Sequence, residues 1–171
     1  MNKLILISSL LLSSLFLFQF QLQAQDTLRN KKGGDYLFTV QKDIEANEVQ
    51  NQNRTGTCWS FSALSFIESE LIRTGKGKHK LSEMYVVRKA YEDKAENYVR
   101  MHGATNFGQG GAFHDIPHVI KKYGIMPQEA YKGLNYGLES HNHGEMETVL
   151  KNMLDAVIKN KQGQLTTSWK A

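Results

Sequence analysis

Cys58 is the sole cysteine of the chain, and its neighbours suit it to nucleophilic chemistry. A lone thiol is a buried small hydrophobe, an intermolecular link or a reactive group. A reactive thiol needs a favoured thiolate, donors for the negative oxygen of a tetrahedral intermediate, and a base. A helix beginning at Cys58 would favour negative sulfur through its free N–H groups and its dipole. The side-chain amide of Gln52, together with the Cys58 N–H, would supply the donors.

The helix that must position this thiol is predicted from residues 58–67, which contain no charge and many apolar side chains. A helix that is apolar nearly all round is typical of a buried position. The pattern becomes amphipathic at Glu68, and Gly75 is a natural residue to end the helix. The polar residues 43–57 before it predict a loop.

Apolar residues at helical spacing predict three further helices, and Tyr36 opens a short β-prone run. Ser82 is a suitable N-cap for the second helix, and Gly124 a suitable end for the third. Pro117 argues against the third helix unless it lies in the first turns. The predicted elements are helices at 83–101, 112–123 and 145–160, a strand at 36–40 and an extended segment at 125–127.

The first 24 residues have the pattern of a secretory signal peptide: Lys3, an apolar run over 4–20, and the small residue Ala24 before a cleavage point. An uncleaved transmembrane anchor is the alternative, although the run is near the short end for crossing a bilayer. No cysteine lies near the cleavage point, which argues against a lipoprotein. We expect an exported protein, periplasmic or secreted, with a mature arm over 25–48 and no membrane association after cleavage.

The composition excludes several other classes of function. With 171 residues, 40% of them hydrophobic, the chain can form a packed core. Its net charge of +4 is spread without a basic stripe, which argues against nucleic-acid binding. His114 and His118 stand four residues apart but lack the intervening Glu of a metalloprotease, and His141 and His143 fall in a polar loop where we expect them to be solvated. We therefore expect no metal and no cofactor.

The spacing from Gln52 to Cys58, followed by Trp59, resembles the signature of papain-fold cysteine peptidases. In that family a Gln lies six positions before the nucleophile, and Gly-x-Cys-Trp opens the central helix, as Gly56-Thr57-Cys58-Trp59 does here. The resemblance implies that Cys58 attacks a peptide carbonyl and that Gln52 donates to the oxyanion. It also implies that Trp59 lines the cleft.

Three further stretches follow in the family's order: Leu81-Ser82-Glu83, Gln109-Gly110-Gly111 and Tyr123-Gly124-Ile125. The resemblance implies that Gly110 and Gly111 bind the substrate backbone as an antiparallel strand, since a Cβ there would block close approach. The expected partner is therefore a peptide substrate.

Two departures from papain itself identify a subfamily. Thr55 stands where lysosomal members carry a second cysteine, and the run from Lys122 to Pro127 has the Lys-Tyr-Gly and proline of the bleomycin hydrolase (aminopeptidase C) type. The implied fold class is α+β, represented by residues 49–171 as the helical, left-hand domain of a papain-like enzyme. Aminopeptidase action is the family's usual mode. Export departs from its usual cytoplasmic location, and a homo-oligomer of the full-length protein is left open.

The family's catalytic His and Asn lie roughly 130–150 residues beyond the nucleophile in papain-like chains, and further in this subfamily. Fewer residues than that follow Cys58. We therefore expect a chain truncated before the β-rich domain, without measurable peptidase activity alone. Two alternatives are a non-catalytic papain-like module that binds peptides through Gly110 and Gly111, and an inactive gene fragment.

Overall fold

A computed structural model describes residues 27–135, 137–160 and Trp169. The predicted signal peptide, residues 1–24, lies outside these described residues. The chain divides into two compact units, Met1–Asp43 and Ile44–Ala171. Across the described ranges, no helix combines the length and the apolar character that crossing a membrane requires.

The described part of the first unit is a short hairpin. Strand β1, Thr27–Arg29, pairs antiparallel with strand β2, Leu37–Thr39, so that Leu28 stands opposite Phe38. The Arg29 guanidinium donates to the Gly34 carbonyl oxygen at 2.7 Å and braces the connecting turn. The β2 strand confirms the β-prone run at 36–40, whereas β1 formed in a stretch predicted only as a polar arm.

The second unit contains all the helices of the described residues. They are α1, Cys58–Arg73; α2, Glu83–Arg100; α3, Asp115–Tyr123; and α4, Gly144–Lys159. All four predicted helices are confirmed, and together with the two-stranded sheet they fit the expected α+β class. Helix α3 begins three residues later than predicted, because the Asp115 carboxylate accepts the Ala112 N–H at 2.7 Å and ends the preceding turn. Pro117 therefore lies in the first turn, where its missing N–H removes no helical hydrogen bond.

Helix α2 is central to the second unit, because it packs against α1, α3 and α4. Its residues Val86 and Val99 are fully buried. Leu64 of α1 and Ile116 of α3 are buried to the same extent and pack in the same core. The predicted extended segment is confirmed where Pro127 bridges antiparallel to Leu81.

The prediction that α1 is buried on all sides is wrong. Phe66 is 56% exposed and meets the equally exposed ring of Phe113 edge to face. Glu68, expected on the polar face, is only 6% exposed. Its carboxylate accepts the Leu81 N–H at 2.7 Å and the Asn47 side-chain amide at 2.8 Å, and these bonds offset its burial. Helix α1 therefore buries one face and presents another.

Candidate active site

The start of α1 is open. Thr57 is its N-cap residue, but the Thr57 side chain is fully buried and shares a hydrogen bond of 2.6 Å with the Thr55 hydroxyl instead of capping the helix. The first turn contains no acidic residue. The first N–H groups of a helix have no acceptor within it. The Ser60 N–H donates to the Thr57 carbonyl oxygen at 2.9 Å, but the donors before it, and the positive end of the helix dipole, are available to an external negative charge.

Cys58 is the first residue of α1, and its side chain is exposed. Both features agree with the sequence-based expectation of a thiol at a helix start. A sulfur in this position can reach an incoming group from solvent. Ser62, one turn further along α1, is also exposed, so the face that carries the sulfur is free in the described part of the chain.

Gln52 lies in the loop that precedes α1, and its side-chain amide is hydrogen-bonded within that loop. Its Nε2 donates to the Thr55 carbonyl oxygen at 2.5 Å, and the Thr55 hydroxyl donates back to the Gln52 carbonyl oxygen at 2.9 Å. This reciprocal pair gives residues 52–55 a fixed shape. An amide nitrogen carries two hydrogens, so one N–H of Gln52 is left for another acceptor.

The glycine loop, residues 108–112, is tied to the start of α1 through Gln109. Its side-chain Oε1 accepts the Gly56 N–H at 2.7 Å. Its carbonyl oxygen accepts the Trp59 indole N–H at 2.9 Å. The structure thus brings together two stretches that are 50 residues apart in sequence, as the motif order suggested.

Gly110 and Gly111 differ in what surrounds them. A Cβ on Gly111 would lie 2.5 Å from the Trp59 ring and 2.9 Å from an Asp115 carboxylate oxygen, so glycine is required there for packing. A Cβ on Gly110 would meet nothing within 4 Å. Gly110 is the position at which another backbone can approach.

Lys94 of α2 was not anticipated from the sequence, although it contacts this loop. Its ammonium donates to the Gly108 carbonyl oxygen at 3.3 Å and to the Gly110 carbonyl oxygen. It also lies 5.5 Å from the centroid of the Trp59 ring, in cation–π geometry. No local sequence signal marks this lysine, because its partners follow it by 14 and 16 residues.

The segment before α4 is hydrogen-bonded to the loop that precedes Cys58. This contact corrects the expectation that His141 and His143 are solvated. The Arg54 N–H donates to the His141 carbonyl oxygen at 3.1 Å, and the His143 N–H donates to the Arg54 carbonyl oxygen at 3.3 Å. His143 is only 9% exposed. Burial lowers the pKa of both imidazoles, and for His143 the neighbouring His141 lowers it further.

Three further histidines lie away from Cys58 in sequence, and each has a neighbouring polar group. His118 is 3.1 Å from the Asp93 carboxylate, and His114 is largely exposed beside Asp115. His79 contacts the Lys76 carbonyl oxygen. Within the described ranges, no three potential ligands cluster around a metal position.

A cavity of about 780 Å³ lies elsewhere, between α2 and α4. Tyr91, Leu150 and Met153 are among its lining residues, whereas Cys58, Gln52 and Gly110 are not. The cavity is therefore separate from the open face at the start of α1.

Comparison with known proteins gives a family match over most of the chain. The model of the Peptidase C1-like family matches residues 19–165. Aminopeptidase C of Streptococcus thermophilus is 23% identical over 150 residues, which cover 78% of this chain and 33% of that protein. Aminopeptidase C of Lactobacillus delbrueckii subsp. lactis is 28% identical over 126 residues, covering 64% of this chain and 28% of that protein.

A yeast protein is similar to the same extent. The mitochondrial cysteine proteinase 1 of Saccharomyces cerevisiae is 25% identical over 134 residues, covering 66% of this chain and 28% of that protein. The matched region spans about a third of the length of these curated relatives.

Proposed function

The chain belongs to the Peptidase C1-like family, and from that premise we propose that it carries the nucleophile of a cysteine peptidase that cleaves peptide bonds through a thioester on Cys58. One observation supports this above all others. The exposed sulfur lies at a helix start that has neither a side-chain cap nor an acidic residue. A structural thiol needs no such opening, whereas a nucleophilic one does.

In the proposed reaction the Cys58 sulfur attacks the carbonyl carbon of a peptide. The negative oxygen that forms receives hydrogen bonds from the Cys58 N–H and from the second N–H of Gln52. The carbon–nitrogen bond then breaks, the amine leaves with a proton from the general acid, and water hydrolyses the thioester. No cofactor takes part.

The substrate backbone would lie along Gly110 and Gly111, with Trp59 in the cleft wall. The open space around Gly110 suits this role. Aminopeptidase action is the proposed mode, on the strength of relatives named aminopeptidase C. The helices would form one wall of a papain-like cleft, and a β-rich part would supply the catalytic His and Asn.

Export is part of the proposal. Lys3, the apolar run over 4–20 and Ala24 support a cleaved signal peptide. Expression in a Gram-negative host followed by intact-mass measurement should give a product that lacks residues 1–24. A cytoplasmic product of full mass would contradict export.

Alkylation of Cys58 tests the nucleophile. At about pH 6, the folded chain should react with iodoacetamide at least about tenfold faster than the same chain unfolded in guanidinium chloride. Cys58→Ser should abolish labelling and serves as the control. Equal rates in the folded and unfolded chains would contradict the assignment. We also expect the isolated chain to fail to turn over an aminoacyl fluorogenic substrate, because we assign the general base to the β-rich part.

One observation favours a second candidate, a module that binds peptides without cleaving them. The Gln52 amide is already engaged by the Thr55 carbonyl oxygen. Under this alternative, Cys58 reacts like an ordinary thiol while a blocked peptide still binds. The alkylation rate therefore separates the two candidates.

A further inference from the structure

We propose that Lys94 is a positioning residue that holds the glycine loop in the shape required to receive a peptide backbone. The inference rests on the proposed function of that loop. Lys94 lies on α2, whereas Cys58 and Trp59 lie on α1 and the loop precedes α3. Its side chain therefore connects α2 with the glycine loop and with Trp59 of α1.

The contacts of Lys94 fall on the loop backbone. The ammonium donates to the carbonyl oxygens of Gly108 and Gly110, two residues apart. Between them, the Gln109 carbonyl oxygen accepts the Trp59 indole N–H. Three successive carbonyl groups of the loop are thus held by side chains of two different helices.

The loop needs such restraint because of its composition. Three of its five residues are glycine, and glycine loses more conformational freedom on folding than any other residue. The Asp115 carboxylate fixes the far end of the loop through the Ala112 N–H at 2.7 Å. Lys94 fixes the loop at Gly108 and at Gly110, and Gly110 is the position where an incoming backbone can approach.

A charged side chain at this position is otherwise unfavourable. Lys94 is half-buried, and burial lowers its pKa, opposed by the charges of Asp115 and Glu147. An apolar side chain would pack on Trp59 without that penalty. What only a donor can supply is the pair of hydrogen bonds to Gly108 and Gly110, and we take these to be the function of the ammonium.

Three variants of the chain separate positioning from general stability. Lys94→Met keeps the stem on Trp59 but removes the donors, and Lys94→Arg keeps a cation that can bond carbonyl oxygens. Lys89→Met is the matched control, because Lys89 also lies on α2 and in cation–π geometry, over Tyr123, away from the loop.

The first measurement compares two alkylating reagents. A peptidyl chloromethyl ketone and iodoacetamide each form a carbon–sulfur bond with Cys58 and release halide, but only the former gains from peptide binding at the loop. The ratio of their rate constants should fall about tenfold in Lys94→Met, recover in Lys94→Arg and stay unchanged in Lys89→Met. The iodoacetamide rate of each variant is the internal reference, so that a general change in thiol reactivity cancels in the ratio.

The second measurement is hydrogen exchange at the Trp59 indole N–H and the Gly56 N–H, which both bond to Gln109. In Lys94→Met both should exchange about tenfold faster, while the Val86 and Val99 amides of the core keep their rates. Unchanged exchange at both groups would overturn the role of Lys94. If the ratio of the two alkylation rate constants is well above one in the parent chain, an unchanged ratio in Lys94→Met would also overturn that role.

A ratio near one in the parent chain would count against peptide binding at the loop, and so against the proposed function. The exchange measurement would then still decide whether Lys94 fixes the loop. Faster exchange across the whole core in Lys94→Met, with the ratio preserved in the folded fraction, would assign the lysine to general stability and overturn the proposal.

Discussion

The starts of α1 and α2 differ in whether a side chain caps the helix and whether an acidic residue lies in the first turn. At α2, the Ser82 hydroxyl accepts the Tyr85 N–H at 3.0 Å and donates to the Tyr131 carbonyl oxygen at 2.5 Å, and an acidic residue, Glu83, occupies the first turn. At α1, the Thr57 hydroxyl is hydrogen-bonded to the Thr55 hydroxyl, and the first turn contains no acidic residue. Ser82 is buried completely, whereas Cys58 is exposed.

Both helix starts carry the same partial positive charge, and the difference lies in what neutralises it. At α2 the protein itself supplies both a cap, which stabilises the helix, and an acidic side chain in the first turn. At α1 it leaves the donors free, which forgoes a capping contribution of about 1 kcal/mol. A helix start that is left open beside an exposed thiol is consistent with a role in chemistry.

The largest expected effect concerns the loop that faces the open start. Gly111→Ala should destabilise the chain by about 3 kcal/mol, because the new Cβ would lie 2.5 Å from the Trp59 ring. Gly110→Ala, which meets nothing within 4 Å, is the control and should change stability little. Denaturant unfolding monitored by circular dichroism measures both. Equal losses would remove the distinction between the packed glycine and the open one.

The second largest effect concerns the start of α2, which Ser82 caps. Ser82→Ala should lower the free energy of unfolding by about 2 kcal/mol, because it removes the cap and leaves the half-buried Tyr131 carbonyl oxygen without this donor. Ser62→Ala, at an exposed position of α1, should have an effect below about 0.5 kcal/mol. The contrast between the two helix starts would fail if the two serines proved equally tolerant in urea unfolding.

A smaller effect concerns the carboxyl group of Glu83, in the first turn of α2. Burial raises the pKa of Glu83, the Glu68 charge adds to this, and a backbone hydrogen bond and Lys80 oppose it. The folded state therefore holds the Glu83 proton more tightly than the unfolded state. Its contribution is fully present below the unfolded pKa and is lost as pH rises through the folded pKa.

Glu83→Gln should accordingly gain stability relative to the parent chain as pH rises from about 4 to 7. Thermal unfolding at several pH values measures the difference between the two chains. A difference that stays constant with pH, or that falls as pH rises, would show that ionisation of the buried Glu83 carboxyl group does not lower the stability of the folded chain.

The smallest effect probes the open start by charge alone. Ser62 is exposed one turn after Cys58, so Ser62→Lys should speed iodoacetamide alkylation at about pH 6 by about threefold, and Ser62→Asp should slow it by a similar factor. Raising the salt concentration should bring the two rates together. Charge variants that shift the rate in the same direction would argue against an electrostatically favoured thiolate.

The helices could be predicted from sequence because each carries its own evidence. The period of α4 is complete within residues 145–160, and the ends of α1 and α3 are marked by Gly75 and Gly124, both at positive φ. The start at Cys58 followed from a charge-free run after a polar loop. These signals are local, so no knowledge of the tertiary contacts was needed.

What could not be predicted depends on distant partners. Glu68 has the composition of a surface residue until the Leu81 N–H and Asn47 are placed beside it. Lys94 resembles Lys89, the other lysine of α2, until the glycine loop is placed beside it. The burial of His143 follows from a bridge to a loop almost 90 residues earlier. Local patterns contain none of these pairings.

That bridge also has a consequence for biosynthesis. Residues 141–143 pair with Arg54, four positions before the sulfur. At about 5–20 residues per second, a ribosome adds this partner several seconds after Cys58 has been incorporated. The nascent chain therefore contains its thiol before the loop that supports it is complete, and that loop gains its partner only as the segment before α4 is made.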